Sequence, residues 1–160
     1  MNQLLLAVIL SVLPISELRG GLPVAVDYAS RKELPLLPIF LLIVTANVVV
    51  IFVLFVFLDV LHKHCLRINI YKKLMNAYLN SIRKKTEKLQ KSYAVYGFLA
   101  LAIFVAIPLP ATGAWTGTFI AWVLGLERKR SILAISAGVF VAGLVVLTTT
   151  LGVMNLVKLL

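Results

Sequence analysis

The sequence predicts an all-α integral membrane fold, and three observations predict it. Apolar residues fill 61% of the 160 positions, and the mean hydropathy is +1.02. Soluble domains carry roughly 45–50% apolar residues. The apolar runs are continuous rather than alternating, which disfavours a β-barrel, and the longest reach the ~20 residues that a helix needs to cross a ~30 Å hydrocarbon core. Two other runs are interrupted by short stretches of proline, glycine and polar residues. Together these predict a single membrane domain over residues 1–160. It would hold an inverted repeat of a re-entrant helical hairpin plus a transmembrane helix, at 1–61 and 93–160, joined by a basic amphipathic connector at 62–92.

Charge sets the orientation. The net charge is +10, and nine of the sixteen basic residues fall between Lys63 and Lys91. In a soluble protein that cluster would suggest nucleic acid. Here the positive-inside rule accounts for it, so the connector is expected in the cytoplasm and no nucleic-acid partner is expected. Cys65 is the single cysteine, which excludes an intrachain disulfide. The first thirteen residues lack the basic flank and cleavage site of a signal peptide and are read as structure.

Leu4–Leu13 is apolar and stops at Pro14. Ten residues make ~15 Å of helix, half a bilayer. Glu17-Leu18-Arg19-Gly20-Gly21-Leu22-Pro23 follows, with Pro14 and Gly20-Gly21 expected to break the backbone. A break at depth is tolerated only where protein or a wet cavity surrounds it, so residues 1–29 read as a re-entrant hairpin or one broken span. Leu34–Val60 is the clearest spanning helix, with Thr45 and Asn47 the polar side chains of its core. Pro35 and Pro38 sit in its first turn, where proline is tolerated.

In the connector, Tyr71, Leu74, Met75, Tyr78 and Ile82 fall on one helical face. An amphipathic helix on the membrane surface, drawn to anionic lipid, fits that pattern, and so does a solvated hairpin that only sets topology. His62-Lys63-His64-Cys65 matches no dependable zinc spacing, so no metal and no cofactor is expected. Tyr93–Leu126 is apolar but broken at Ile107–Gly117. Its arms are ~22 Å each, which suits a second hairpin better than two crossings. A charged turn at Glu127–Arg130 leads into a final spanning helix, 131–157, with Gly138, Gly143 and Gly152 at which helices can approach closely. Thr148-Thr149-Thr150 are expected to bond to their own helix backbone.

A shift of 96 residues lays Pro14 on Pro110, Gly21 on Gly117 and Ala46 on Ala142. With the connector cytoplasmic, the first hairpin would enter from outside and the second from inside, and both termini would lie outside. Paired interrupted segments in inverted halves point to a transporter's midplane site.

The segment Glu17–Pro23 and the segment Phe104–Gly117 resemble the two signatures of the small multidrug export protein family, across the whole chain. Ala111 stands where that pattern has glycine. The family is grouped by predicted fold with the DedA/VTT superfamily. That resemblance implies two opposed re-entrant loops and work on lipids, lipid carriers or proton-linked homeostasis.

The candidate substrate-binding residues are Glu17, Arg19, Gly20, Gly21, Pro23, Asn47, Pro108, Pro110, Thr112, Gly113, Trp115, Thr116 and Gly117. Arg19 keeps its charge and offers five donors. It could hold an anionic head group, or it could pair with Glu17 and pin the hairpin. A carboxylate held from water could carry a proton. The second hairpin offers hydroxyls and a half-helix N-terminus that favours anions. Trp115 could stack on a ligand or anchor at the interface, and Trp122 reads as an anchor. Asn47 could hydrogen-bond a hairpin, and polar glue between helices is the favoured reading. No nucleophile–base pair, phosphate loop or paired catalytic carboxylates are present, so no enzyme is expected. The favoured reading is a cell-membrane transporter or flippase for an anionic lipid-linked or small amphipathic substrate, with proton coupling as a variant. Its partners would be membrane lipids, protons and, in a homo-oligomer, other copies of the chain. The alternative is a membrane scaffold that recruits anionic lipid or a partner through the connector.

Overall fold

The computed structural model describes residues 3–65, 92–109 and 112–159, and among them every regular element is a helix. Their order is short, short, long, then again short, short, long. Helices α1 (Gln3–Val12), α2 (Glu17–Arg31) and α3 (Leu36–Cys65) form the first set. Helices α4 (Ser92–Ala106), α5 (Ala114–Val123) and α6 (Arg128–Leu159) form the second. The expected amphipathic helix of the connector lies outside the described residues, as does Pro110.

The breaks have local causes. Pro14 lies just past the end of α1, where its missing N–H ends the helical ladder. The chain turns through Leu13–Ser16, and Glu17 opens α2 with φ 45°, a left-handed backbone uncommon for a residue with a Cβ. In the second hairpin Gly113 carries φ 149° at the start of α5. Each hairpin passes to its long helix through a left-handed residue. Glu33 has φ 53°, with Leu34 N–H bonded to Ala29 O at 3.0 Å. Gly125 has φ 63°, with Leu126 N–H bonded to Ala121 O at 3.0 Å. The second of these is a Schellman cap, completed by Gly125 N–H to Trp122 O at 3.1 Å.

One sequence expectation is corrected here. Gly20 and Gly21 do not break the backbone; both lie inside α2, as does Pro23. A Cβ on Gly21 would sit 2.4 Å from Ala7 O and 2.6 Å from Ser11 Cβ. The glycine serves close approach of α1 to α2, and the break comes from Pro14 and the strained Glu17 instead.

Each half contributes a long helix, and each long helix also packs on the second short helix of the other half, α2 on α6 and α5 on α3. Small residues allow this closeness. A Cβ on Gly138 of α6 would meet Ala102 O of α4 at 2.6 Å, and one on Gly117 of α5 would meet Val105 at 2.6 Å. Gly143 faces the ring of Phe40, which also meets Phe140 edge-on at 5.8 Å.

The polarity of the surface is inverted relative to a soluble protein. Along α3, Leu37, Phe52, Val53, Val56 and Phe57 are exposed, as are Leu133, Phe140, Val153 and Leu156 along α6. Buried instead are Ser11, Glu17, Asn47, Thr118 and Ser131. Large contiguous apolar surface marks a face meant for lipid or partners. The spans Leu36–His64 and Arg128–Val157 are long and apolar enough to cross a membrane. Thr148, Thr149 and Thr150 donate to carbonyls one turn back in α6, which removes their hydroxyls as a polar site.

Candidate functional site at the hairpin tips

The two interrupted segments meet. Helix α5 begins at Gly113, and its first amides point away from the helix with no intrahelical acceptor. Glu17 supplies one from the other hairpin. Its Oε1 accepts the Trp115 N–H at 3.1 Å, and the Ala114 N–H also reaches the carboxylate. A carboxylate at a helix N-terminus is favoured by both the hydrogen bonds and the helix dipole. Only glycine fits at 113, because a Cβ there would lie 1.6 Å from Glu17 Oε2.

Arg19, two residues on in the first turn of α2, donates from one terminal nitrogen to the carbonyl and to the hydroxyl oxygen of Thr112. That hydroxyl also accepts the Leu109 N–H at 3.1 Å and lies 2.7 Å from Ile107 O. It thus ties the loop between α4 and α5 to itself and to Arg19. Trp115 closes a third link, its indole N–H donating to Val12 O at 3.0 Å. From α3, Asn47 donates to Ser11 O at 2.9 Å. The carbonyls left by the end of α1 are therefore met by side chains from α5 and α3. Glu17 is 7% exposed and Asn47 1%, so the Asn47 bond is buried and the Glu17 and Arg19 bonds partly so; a buried polar group left unmet would cost about 1–3 kcal/mol.

Glu17, Arg19, Asn47, Thr112 and Gly113 line one small cavity, closed on its other sides by Val105, Val139 and Ala142. Its volume is about 10 Å³, room for about one water. The tips are in contact, and the space between them holds nothing larger than a water.

Of the residues singled out from sequence, those five and Trp115 come together at the tips. Gly20 sits against Ser16, with 2.6 Å between its would-be Cβ and Ser16 Cβ. Gly21 and Gly117 pack helices. Pro23 lies in the body of α2, where it leaves out the helical bond to the Arg19 carbonyl. Pro108 lies in the turn after α4, and Thr116 Oγ1 points back to Gly113 O at 3.4 Å. Glu17 and Arg19 do not pair with each other as one reading of the sequence allowed. The ion pairs among the described residues are Arg31–Asp27, Arg128–Asp59 and Arg130–Glu127. Val105, Val139 and Ala142 were missed, since apolar side chains carry no chemical signal beyond helical period.

A second polar cluster was also missed. Asp59 near the end of α3 pairs with Arg128 at the start of α6 and accepts the Trp122 indole N–H at 3.0 Å. Arg128 lies over the Phe55 ring, 5.1 Å from its centre. The signal available was an acidic residue at a helix end facing the Glu127–Arg130 turn.

Residues 17–145 match the family described as "Putative small multi-drug export protein". The match begins at the residue that caps α5 and takes in the whole second tip, and the chain belongs to that family. No curated protein and no solved structure matches the chain.

Proposed function

We propose that the protein is a membrane exporter whose working site is the junction of the two hairpin tips. The observation that carries this reading is the exchange between halves, in which Glu17 and Arg19 of one hairpin engage the N-terminus of α5 and Thr112 of the other. The family's export description supports the class of activity. The outward apolar faces of α3 and α6 support a lipid environment.

In this reading the hairpins are re-entrant. At 1.5 Å per residue α1 and α5 reach about 15 Å and α2 and α4 about 22 Å, short of the ~30 Å core. They enter from opposite faces as inverted repeats, with the connector cytoplasmic and both termini outside. The α5 N-terminus holds an anion in the resting state, namely the Glu17 carboxylate. An anionic head group takes that place beside Arg19 when the tips part, and a proton on Glu17 discharges the displaced carboxylate. The cargo is an anionic lipid-linked or small amphipathic molecule. The protein acts as a transporter rather than an enzyme.

The test is reconstitution in liposomes with head-group-labelled lipids and a cationic dye followed side by side. Movement of the anionic amphiphile, lost in Arg19→Lys because the planar fork is replaced by a point charge, supports the reading. Equal rates for wild type, Arg19→Lys and empty liposomes for every cargo overturn it.

A further inference from the structure

The cluster of Asp59, Trp122 and Arg128 lies away from the tips and has no part in the proposed export step. Asn47 lines the tip cavity, and Asp59 lies twelve residues farther along α3, about 18 Å at 1.5 Å per residue. There the start of α6 and the end of α5 are tied to the end of α3. Arg128 pairs with Asp59 and donates to Phe55 O at 3.5 Å, with its guanidinium 5.1 Å from the centre of the Phe55 ring. The Trp122 indole N–H donates to Asp59 at 3.0 Å. We infer that this cluster is a latch that holds one end of the bundle closed while the opposite end is left to part. The inference rests on the exporter reading and says from which end the tips are reached at rest.

The two halves differ at every position of the latch. The shift of 96 residues lays Lys32 on Arg128, Val26 on Trp122, Asn155 on Asp59 and Leu151 on Phe55. Valine has no side-chain N–H to give in place of the indole, asparagine has no charge, and leucine has no ring face for a cation. The contacts at that end differ accordingly. Arg31 pairs with Asp27 one turn back in its own helix. Among the described residues, no side-chain hydrogen bond or ion pair joins the turn at 31–33 to α6. Yet α2 packs on α6 just as α5 packs on α3. Both ends are packed, and one is bonded as well.

Magnitude decides what such a link can do. In lipid, apolar helix faces gain no hydrophobic drive toward each other, so hydrogen bonds and charge pairs weigh on which contacts part first. The Arg128 and Asp59 side chains are 50% and 41% exposed, and an exposed pair biases an equilibrium about fivefold or less. That favours one closed end and still lets thermal motion release it. A fully buried pair would hold that end far more firmly. In the proposed orientation the latched end faces the cytoplasm. At rest the tips are therefore reached from outside, and the latch opens when cargo enters from the cytoplasmic side.

The experiment uses the full chain in liposomes, with Cys65→Ser as the background and nitroxide labels on cysteine pairs at matching positions. Phe57→Cys with Leu124→Cys reports the latched end, and Tyr28→Cys with Val153→Cys reports the other. Double electron–electron resonance is expected to give a dominant narrow distance with a minor longer component for the first pair. The second pair should show a larger longer component. Asp59→Asn keeps an acceptor for the indole and removes the charge. It should raise the longer-distance fraction of the first pair two- to fivefold and leave the second pair unchanged. Equal distributions at the two ends of the background chain would overturn the proposal, and that comparison needs no latch variant to fold. So would a first pair unmoved by Asp59→Asn in a variant whose helical content by circular dichroism is native. Unequal ends without liposome export of any cargo would leave the latch standing and remove the exporter reading. Export with equal ends would do the reverse.

Discussion

At the scale of single residues, the protein's polar side chains are spent on closing the tips. Gly113 is the sharpest case, because its backbone lies at φ 149° and the Glu17 carboxylate occupies the space where a side chain would begin. Gly113→Ala is expected to cost at least about 2 kcal/mol, from backbone strain and the expulsion of Glu17 together. A thermal-unfolding series in detergent measures this, and Gly97→Ala, which meets open space, is the control expected to change little. Glu17→Gln keeps an acceptor for the Trp115 N–H but cannot discharge by taking a proton. Export by this variant is expected to lose its dependence on pH while the fold survives. A pH profile identical to wild type would remove proton coupling from the mechanism. The sequence drew attention to these residues because a carboxylate and a guanidinium stood between apolar runs. It did not reveal their partners, since Arg19 and Thr112 are 93 residues apart and Glu17 and Trp115 are 98 apart. No local pattern encodes which hairpin meets which.

At the scale of elements, helices were legible where apolar runs were interrupted by proline or ended in a charged turn. Pro14 and the Ile107–Gly117 stretch marked real breaks, and the two long helices emerged close to their expected bounds. Gly20-Gly21 was misread because a glycine pair weakens a helix in isolation yet also allows another helix to lie against it. In this fold the second effect governs: Gly21→Val is expected to push α1 off α2 and cost 1–3 kcal/mol, as overpacking does. Unfolding of this variant, with loss of the α1 contact read from new proteolysis near Leu13–Ser16, is the check. The Asp59–Trp122–Arg128 cluster was opaque for a different reason. Trp122 alone reads as an interfacial anchor and Arg128 as part of a charged turn, and no local pattern joins either to Asp59. Their side chains are 41–50% exposed for the ion pair, so the Asp59–Arg128 coupling in a double-mutant cycle is expected to be about 1 kcal/mol or less. A much larger coupling would mean that this end of the bundle is drier than its exposure indicates.

At the scale of the whole molecule, the described residues place apolar side chains outward and hold their charges at the tips and near the helix ends. Composition alone made the membrane class legible, because so many apolar residues cannot all be buried inside 160 residues. The repeat of short, short and long helices was legible from the order of interruptions rather than from matching residues. The proposed entry of the two hairpins from opposite faces rests on the charge of the connector, and the depth of the tips tests it. Trp115 reports it, since the chain has two tryptophans and Trp122→Phe removes the other. The decisive measurement is quenching of Trp115 fluorescence in bilayers whose lipids carry bromine at defined positions along the acyl chain. The account predicts strongest quenching by bromines near the chain ends, at the bilayer centre. Strongest quenching by bromines beside the head group would place the tips at the water boundary and contradict it.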